Sequence, residues 1–327
     1  MMLVSVLAVV FALALDLALG DPKNRYHPTA WIGMLIGKLV PSARSDNPRL
    51  ERLGGTALVV LIAALVGSVL YFVDHTFAYL DNLGLAKILV LVASVVAIGL
   101  LLKTTIAIKG MQRHASKIME SLSRDDLDGA RANLSMIVKR NTKNLDRQHI
   151  ISATLESISE NIVDGITGPL FYFAFFGLVG AFVYRVVNTA DSMIGYKTDL
   201  FRNLGWFGAN CDKVLNFVPS RLTSMIMILA GMIVGCNWKH SVAVMKRDGP
   251  KTESPNAGYP MATMAGALGV KFEKLDHYVL GDGSTEFTEK HFKTAISMMK
   301  VTVILFAAIF TIPVIVMLSY LGWWNIA

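Results

Sequence analysis

An all-α polytopic membrane protein is the fold this sequence predicts, and three observations carry the prediction. Hydrophobic residues make up 54% of the 327 positions. Charged residues are only 17%, against roughly 25% in soluble domains. Six runs approach the ~20 apolar residues needed to cross a hydrocarbon core, at about 2–19, 56–73, 85–102, 166–187, 222–238 and 298–321. No strand-rich block and no internal repeat interrupts them. We read residues 1–327 as a single integral membrane domain with about 4–6 spans, a helical polar loop at 103–164 and a second long polar loop at 239–297.

Along the chain, the first run lacks a positive n-region and carries Asp16 inside its apolar stretch. It therefore reads as a retained span rather than a cleaved leader. The segment that follows, GDPKNRYHP from Gly20 to Pro28, opens a basic loop over 20–55. Asp-Pro and His-Pro bias the backbone toward turns. An acid at the end of an apolar span is also a functional candidate, which singles out Asp16, Asp21 and His27. The loop 74–86 carries acids and no Lys or Arg, whereas 103–164 begins with a dense series of Lys and Arg. The positive-inside bias then places 20–55 and 103–164 in the cytoplasm and 74–86 outside. Within 103–164, DDLDGARANLSMIVKRNTKNL has acids first and bases last, as a helix dipole prefers.

Run 166–187 holds Gly168, Pro169, Gly177 and Gly180, and run 222–238 is short and follows Pro219. Both are candidates for broken or re-entrant elements, which membranes tolerate where protein or a cavity surrounds them. In that case the polar segments 103–164, 188–221 and 239–297 meet on the cytoplasmic side. Cys211 and Cys236 make no disulfide framework and read as reduced thiols. The net charge of +7 suits anionic headgroups and anionic substrates, and the positive-inside bias accounts for most of it. Nucleic acid is not an expected partner; the lipid bilayer is.

Five constellations carry chemistry. In ESISENIVDG, Glu156, Glu160 and Asp164 fall at i, i+4 and i+8, one carboxylate stripe on one helical face. Like charges at that spacing repel unless a cation sits with them. Mg²⁺ takes one or two carboxylates plus substrate phosphates, so a magnesium–nucleotide site is one reading. A solvated face paired with nearby Lys and Arg is the other. Asn161 lies beside the stripe. In YRVVNTADSMIGYK, Arg185, Asn188, Asp191 and Ser192 share a helical face, followed by Tyr196 and Lys197. Arg185 and Lys197 suit phosphate or carboxylate, or Arg185 snorkels to the interface while Asn188 and Asp191 cap a turn.

In RNLGWFGANCDKVLNFVPSR, Trp206 and Phe207 between glycines read as an interfacial aromatic belt, or as a flat wall for a large ring-shaped ligand. Arg202 precedes them. Asp212 and Arg221 are placed to pair with each other or with substrate. In ESPNAGYP, Asn256 and Gly258 sit in a constrained turn whose amides can cradle an anion; an ordinary loop is the commoner outcome. No GxxxxGK[ST] occurs, so a nucleotide site here is not a P-loop.

The order of these segments is more specific than any one of them. GDPKNRYHP, SATLESISENIVDGITGPLFY, YRVVNTADSMIGYK, LGWFGANCDKVLNFVPSRLT and SPNAGYPMATMAGALGV together resemble the adenosylcobinamide-phosphate synthases of cobalamin biosynthesis, the CbiB/CobD family. The match runs from Asp16 to about Val270 and is densest from Ser152 to Thr223. It departs from the family pattern in small ways, in ENIVDG and in NAGYP, without removing a charged candidate.

The resemblance implies a multi-pass enzyme of the cell membrane. It joins a propionate carboxylate of adenosylcobyric acid to (R)-1-amino-2-propanol or its O-phosphate as an amide, using ATP and Mg²⁺. It implies catalytic and metal roles for Glu156, Glu160 and Asp164, with Asn161 orienting a ligand. Arg185, Lys197 and Arg202 would hold phosphates or corrin side chains. Asn188, Asp191, Ser192 and Tyr196 would line the pocket, with Asp212 and Arg221 at substrate. Trp206 and Phe207 would pack on the corrin, Asn256 and Gly258 would shape an anion turn, and Asp21 and His27 would close a cytoplasmic mouth. Association with other cobalamin nucleotide-loop enzymes is a further expectation. The alternatives are a transporter, against which the polar residues lie at span ends rather than at midplane, and a non-catalytic membrane sensor, which would not need the acidic stripe.

Overall fold

A computed structural model describes residues 2–82, 87–138, 140–196 and 198–323. Their elements are α1 (Met2–Leu19), α2 (Pro28–Ala43), α3 (Pro48–Asn82), α4 (Lys87–Lys103), α5 (Ile108–Ser123), α6 (Leu127–Leu134), α7 (Arg147–Ile162), α8 (Gly168–Ile194), α9 (Trp206–Leu215), α10 (Phe217–Val234), α11 (Trp238–Asp248), α12 (Gly258–Leu268), the strands β1 (Phe272–Lys274) and β2 (Tyr278–Leu280), α13 (Glu289–Phe306) and α14 (Ile312–Tyr320). The protein is an all-α polytopic membrane protein. Among the described residues, six helical segments are long and apolar enough to cross a bilayer: Met2–Leu19, Pro48–Phe77, Lys87–Ser123, Arg147–Ile194, Phe217–Val234 and Glu289–Tyr320. Each contains one of the six apolar runs or most of it.

The chain divides into two compact units. The first holds Met1–Ala107, Gly168–Leu215 and Ala307–Ala327. In it α1 packs on α4, α2 packs on α3 and α8, and α3 packs on α8 and α9. The segment read as loop 20–55 contains α2, whose apolar residues Trp31 and Met34 are exposed while Ile32 and Ile36 are buried. Helix α3 runs on to Asn82, through most of the segment read as loop 74–86, because no Gly or Pro breaks it before residue 83; residues 83–86 lie outside the described set.

One backbone contact fixes the start of α3 and another fixes the turn after α8. A Cβ on Gly55 would stand 1.9 Å from the Leu204 carbonyl oxygen, and one on Gly205 would stand 1.8 Å from the Ile194 carbonyl oxygen. Glycine is what lets these segments touch. Arg52 adds a 3.1 Å hydrogen bond to Asn203 Oδ1.

Helix α8 is not one rod. Phe176 and Gly177 leave helical geometry, and Gly177 has φ 59°, ψ −148°, a region essentially reserved for glycine. Twelve residues of straight helix would separate Tyr172 from Tyr184 by about 18 Å, yet their rings stack with centroids 5.2 Å apart. Gly168 similarly abuts the Tyr184 hydroxyl, which would lie 2.4 Å from an added Cβ. Gly168–Ile194 is therefore a helical hairpin with its tip at Phe176–Gly177. Trp323 Nε1 donates to the Phe175 carbonyl at 2.8 Å and closes the tip. The broken character read from the glycines of run 166–187 takes this form.

The second unit holds Ile108–Thr167 and Asn216–Phe306. Helix α7 lies against α5, α6, α12, α13 and β1, and α10 lies against α12 and α13. Every residue of α7 from Ile150 to Ser159 is buried, which is why its sequence has no clean amphipathic period. A π turn, Val163–Thr167, follows α7, and Thr167 Oγ1 bonds Thr223 Oγ1 at 2.6 Å. Helix α6 stops at Leu134, so the bases expected at its end, such as Arg140 and Lys143, fall in the irregular segment after it. The polar loop 239–297 contains α11, α12 and a small antiparallel β1–β2 hairpin.

Candidate functional site

The N-terminal motif folds as its sequence dictates. Gly20 takes φ 77° and its amide closes α1 on the Asp16 carbonyl at 2.9 Å, a left-handed C-terminal cap. A short 3₁₀ turn, Asn24–Tyr26, leads to His27, which is extended and stands before Pro28 at the first turn of α2; proline is favoured there. The turn reading and the functional reading of GDPKNRYHP therefore coexist. The turn carries Asp21 and His27 to the C-terminal end of α4. Lys103 Nζ lies 3.1 Å from Asp16 Oδ1 and 2.6 Å from Asp21 Oδ1, with Asp16 0% and Lys103 4% exposed. His27 Nε2 lies 3.6 Å from Asp21 Oδ1. Burial pushes the Asp21 carboxyl up, but hydrogen bonds from His27 and Lys103 outweigh it and hold the group below the usual carboxylate range.

The same end of this unit receives the second arm of α8. His27, Thr29, Arg185, Asn188 and Ser192, with Asn24, line an open cleft of about 270 Å³. Thr29 Oγ1 donates to the Thr104 carbonyl at 2.8 Å, fixing that wall. Arg185 donates to Asn188 Oδ1 at 3.2 Å, and Asn188 Nδ2 donates to Asp212 Oδ1 at 3.2 Å. Two motifs about 160 residues apart thus share one concavity, and Asp212 supports it from α9. Asp191 and Tyr196 are half-buried nearby in sequence, with Tyr196 against Phe201, ring centroids 6.3 Å apart. Lys197 lies outside the described residues. Arg202 is exposed. Trp206 is 48% exposed, with the Arg52 guanidinium 5.7 Å from its ring, and Phe207 is half-buried; this surface is compatible with either reading of the WF pair.

In the second unit the acidic stripe separates into two kinds of carboxylate. Glu156 is 3% exposed. Its Oε1 accepts from Ser152 Oγ at 2.8 Å. Its Oε2 accepts from Tyr278 Oη at 2.8 Å and lies 2.9 Å from Arg140 NH2. Burial, the Glu156 charge and the hydrogen bond to it push the Tyr278 phenol well above its usual range. Glu160, Asn161 and Asp164 are half-buried, and Asn161 Nδ2 bonds the Ser157 carbonyl at 2.9 Å. Among the described residues no three His, Cys, Asp or Glu gather as a metal cage. A magnesium ion that shares its coordination with substrate phosphates needs only one or two carboxylates. Glu160 and Asp164 fit that demand; Glu156, with both oxygens taken by protein donors, anchors α7.

Arg221 is held by the Phe217 carbonyl at 2.8 Å and Asn256 Oδ1 at 3.1 Å, between the rings of Phe217 and Tyr259, 3.7 and 4.3 Å from their centroids. Ser254 Oγ accepts from the Asn256 and Ala257 amides at 3.3 and 3.4 Å, so these amides are held within the turn before α12. Gly258 allows close packing, since a Cβ there would stand 2.2 Å from the Gly249 carbonyl oxygen. Beside it, Asp248 is 0% exposed and takes Arg247 at 2.6 Å, Lys251 at 2.6 Å and the Gly281 amide at 2.7 Å.

Sequence reasoning missed Arg140, Tyr278 and the pairing of Lys103. Lys103 had a signal: a base ending one apolar run, opposite an acid ending another. Tyr278 had none, because its role comes from a hairpin 122 residues from Glu156.

A family model described as CobD/Cbib protein matches residues 9–318. The chain belongs to this family. It is 37% identical over 298 residues to the "Probable cobalamin biosynthesis protein CobD" of Methanothermobacter thermautotrophicus, covering 91% of this chain and 94% of that one. It is 37% identical to the "Cobalamin biosynthesis protein CobD" of Dehalococcoides mccartyi, covering 84% and 86%, and 36% identical to the protein of that name in Leptospira interrogans, covering 85% and 88%. No solved structure matches. These names support a role for the CobD/CbiB chain in cobalamin biosynthesis.

Proposed function

We propose that this protein forms the amide between a carboxylate of adenosylcobyric acid and 1-amino-2-propanol or its O-phosphate, with ATP activating the carboxylate. The observation that carries the reading is the cleft that joins His27 to Arg185, Asn188 and Ser192 in a chain of the CobD/CbiB family. A carboxylate is a poor electrophile, so it is first converted to an acyl phosphate; the amine nitrogen then displaces phosphate. Mg²⁺ supplies charge stabilisation for the transferred phosphoryl group. Glu160 and Asp164 are the residues to hold it, and Glu156 fixes α7 beneath them. Arg185 binds a phosphate or carboxylate bidentately. Asn188 and Ser192 supply hydrogen bonds, and Asp212 holds Asn188 in place. Trp206 and Phe207 offer an apolar face to the corrin. The basic segments after α1 and α4 support a cytoplasmic side for this chemistry through the positive-inside bias.

The test is a direct assay of the purified, detergent-solubilised protein with adenosylcobyric acid, either amine, ATP and Mg²⁺, read by mass spectrometry. Amide that requires both ATP and Mg²⁺ is the expected result. No product with either amine, in detergent or in lipid, would return the protein to the sensor or transporter readings.

A further inference from the structure

Helix α2 carries a surface that neither the core nor the cleft uses. The helix is 16 residues long, about 24 Å, and it is not one of the segments long and apolar enough to cross the bilayer. Residues 20–27 join it to the end of α1, and residues 44–47 join it to the start of α3. Both of those neighbours are crossing segments. A helix that does not cross leaves α1 ending and α3 starting at the same face of the membrane. The link 44–47 spans at most ~18 Å, so the C-terminal end of α2 is held near the boundary where α3 enters.

The two sides of α2 differ in chemistry. Thr29, Ile32 and Ile36 are buried. Trp31, Met34 and Lys38 follow at i, i+3 and i+7 on the opposite side. Trp31 and Met34 are 49% and 61% exposed, and Lys38 is exposed. The Trp31 indole donates to the Arg25 carbonyl at 3.0 Å, which satisfies its N–H and holds the ring at the surface. Tyr26 is exposed too, with the Arg25 guanidinium 4.5 Å from its ring centroid. Amphipathic aromatic rings beside basic side chains are the composition of a headgroup-level belt.

The segment is also short of anions. From Gly20 to Gly55 it holds six Lys or Arg and three acids. Lys103 takes Asp21 at 2.6 Å and Arg44 takes Glu51 at 3.4 Å. Asp46 is then the remaining carboxylate of the segment, against Lys23, Arg25, Lys38, Arg49 and Arg52, all exposed.

We propose that the outer face of α2 docks on the bilayer leaflet and selects anionic phospholipid. Trp31 and Met34 enter the acyl boundary, and Lys38 and Arg49, the latter on the first turn of α3, hold lipid phosphates. Ammonium and guanidinium groups are suited to phosphate oxygens, and a helix lying in the interface binds through apolar burial and basic attraction together. Thr29, on the buried side of the same helix, lines the cleft, so α2 stands between that cleft and the lipid. Lipid docking by α2 holds whether or not the amide-forming reading does.

Lipid retention tests the charge. Full-length protein is extracted from an equimolar mixture of phosphatidylglycerol and phosphatidylcholine, and the lipids it keeps are read by native mass spectrometry. Each basic side chain at an anionic surface is worth about fivefold in affinity, so Lys38→Gln/Arg49→Gln should keep about tenfold less phosphatidylglycerol than wild type. Lys117→Gln/Lys143→Gln removes the same charge from exposed positions elsewhere and should keep it near the wild-type level. No preference for phosphatidylglycerol in wild type, or an equal loss in the second pair, would overturn the site. Depth is read without altering charge, from the Trp31 contribution to the fluorescence, obtained as the difference between wild type and Trp31→Phe in nanodiscs containing phosphatidylglycerol. That contribution should be quenched by lipid brominated near the top of the acyl chain and shielded from acrylamide in the water. Acrylamide quenching without quenching by brominated lipid would put this face in water, open to a soluble acidic partner, and would overturn the docking whatever the charge variants retain.

Discussion

Replacing Arg140 with methionine is the sharpest probe of how the second unit holds together. Arg140 NH2 lies 2.9 Å from Glu156 Oε2, with the two side chains 15% and 4% exposed. The substitution Arg140→Met keeps the apolar stem and removes the cation, leaving a carboxylate in a nearly closed environment. Breaking a buried pair from one side costs about 3–5 kcal/mol. Tyr278 and Ser152 still donate to Glu156, and Arg140 is not fully enclosed, so the lower end, about 3 kcal/mol, is expected. Neutralising the carboxylate as well, in Arg140→Met/Glu156→Gln, removes the stranded charge and should leave a deficit of only about 1–2 kcal/mol, the scale of one imperfect hydrogen bond. The assay is reversible unfolding in mixed micelles with increasing SDS, followed by tryptophan fluorescence. If Arg140→Met lay within about 1 kcal/mol of wild type, or the double variant were no more stable than the single one, the buried-pair argument would fail.

Three further outcomes follow from the geometry. Gly177→Ala forces a side chain into φ 59°, ψ −148° and should cost about 1–3 kcal/mol. Gly33→Ala, whose Cβ would meet nothing nearer than 3.6 Å, should be neutral or slightly stabilising in the same SDS unfolding assay; equal effects would argue against the hairpin tip. Asp248 is raised by burial, but Arg247, Lys251 and the Gly281 amide more than reverse this and hold it well below the usual range. Its contribution is therefore fully present above the ordinary aspartate value of about 3.9 and is lost as pH falls toward the depressed folded value. Asp248→Asn should accordingly lower stability at neutral pH and flatten the loss on acidification, and a wild-type acid dependence in that variant would refute it. Glu160→Gln should reduce amide formation by about 100-fold or more with an unchanged unfolding midpoint, and wild-type activity would remove Glu160 from the site.

The membrane character, the six apolar segments and the family were legible in the sequence because each is a property of composition or of residue order. So was the break in 166–187, since clustered glycines mark backbone that side chains cannot accept. The cleft was half legible. His27, Arg185, Asn188 and Ser192 were singled out and Asn24 and Thr29 were not, and nothing local says that His27 and Arg185 meet, because helix packing brings them together and not spacing.

Tertiary structure alone decided the character of the acidic stripe. Three carboxylates at i, i+4 and i+8 look equivalent in sequence. In the fold Arg140 reaches Glu156 from the segment before α7 and Tyr278 from a hairpin 122 residues away, while Glu160 and Asp164 stay half-buried. Helix α2 shows the same limit, a basic loop by charge that folds as a helix once α3 and α8 offer an apolar surface to its buried face. A sequence fixes which groups are present and which faces they share on one helix. Which of them lose water depends on contacts between segments apart in the chain, and that loss of water sets how strongly a carboxylate needs its partners.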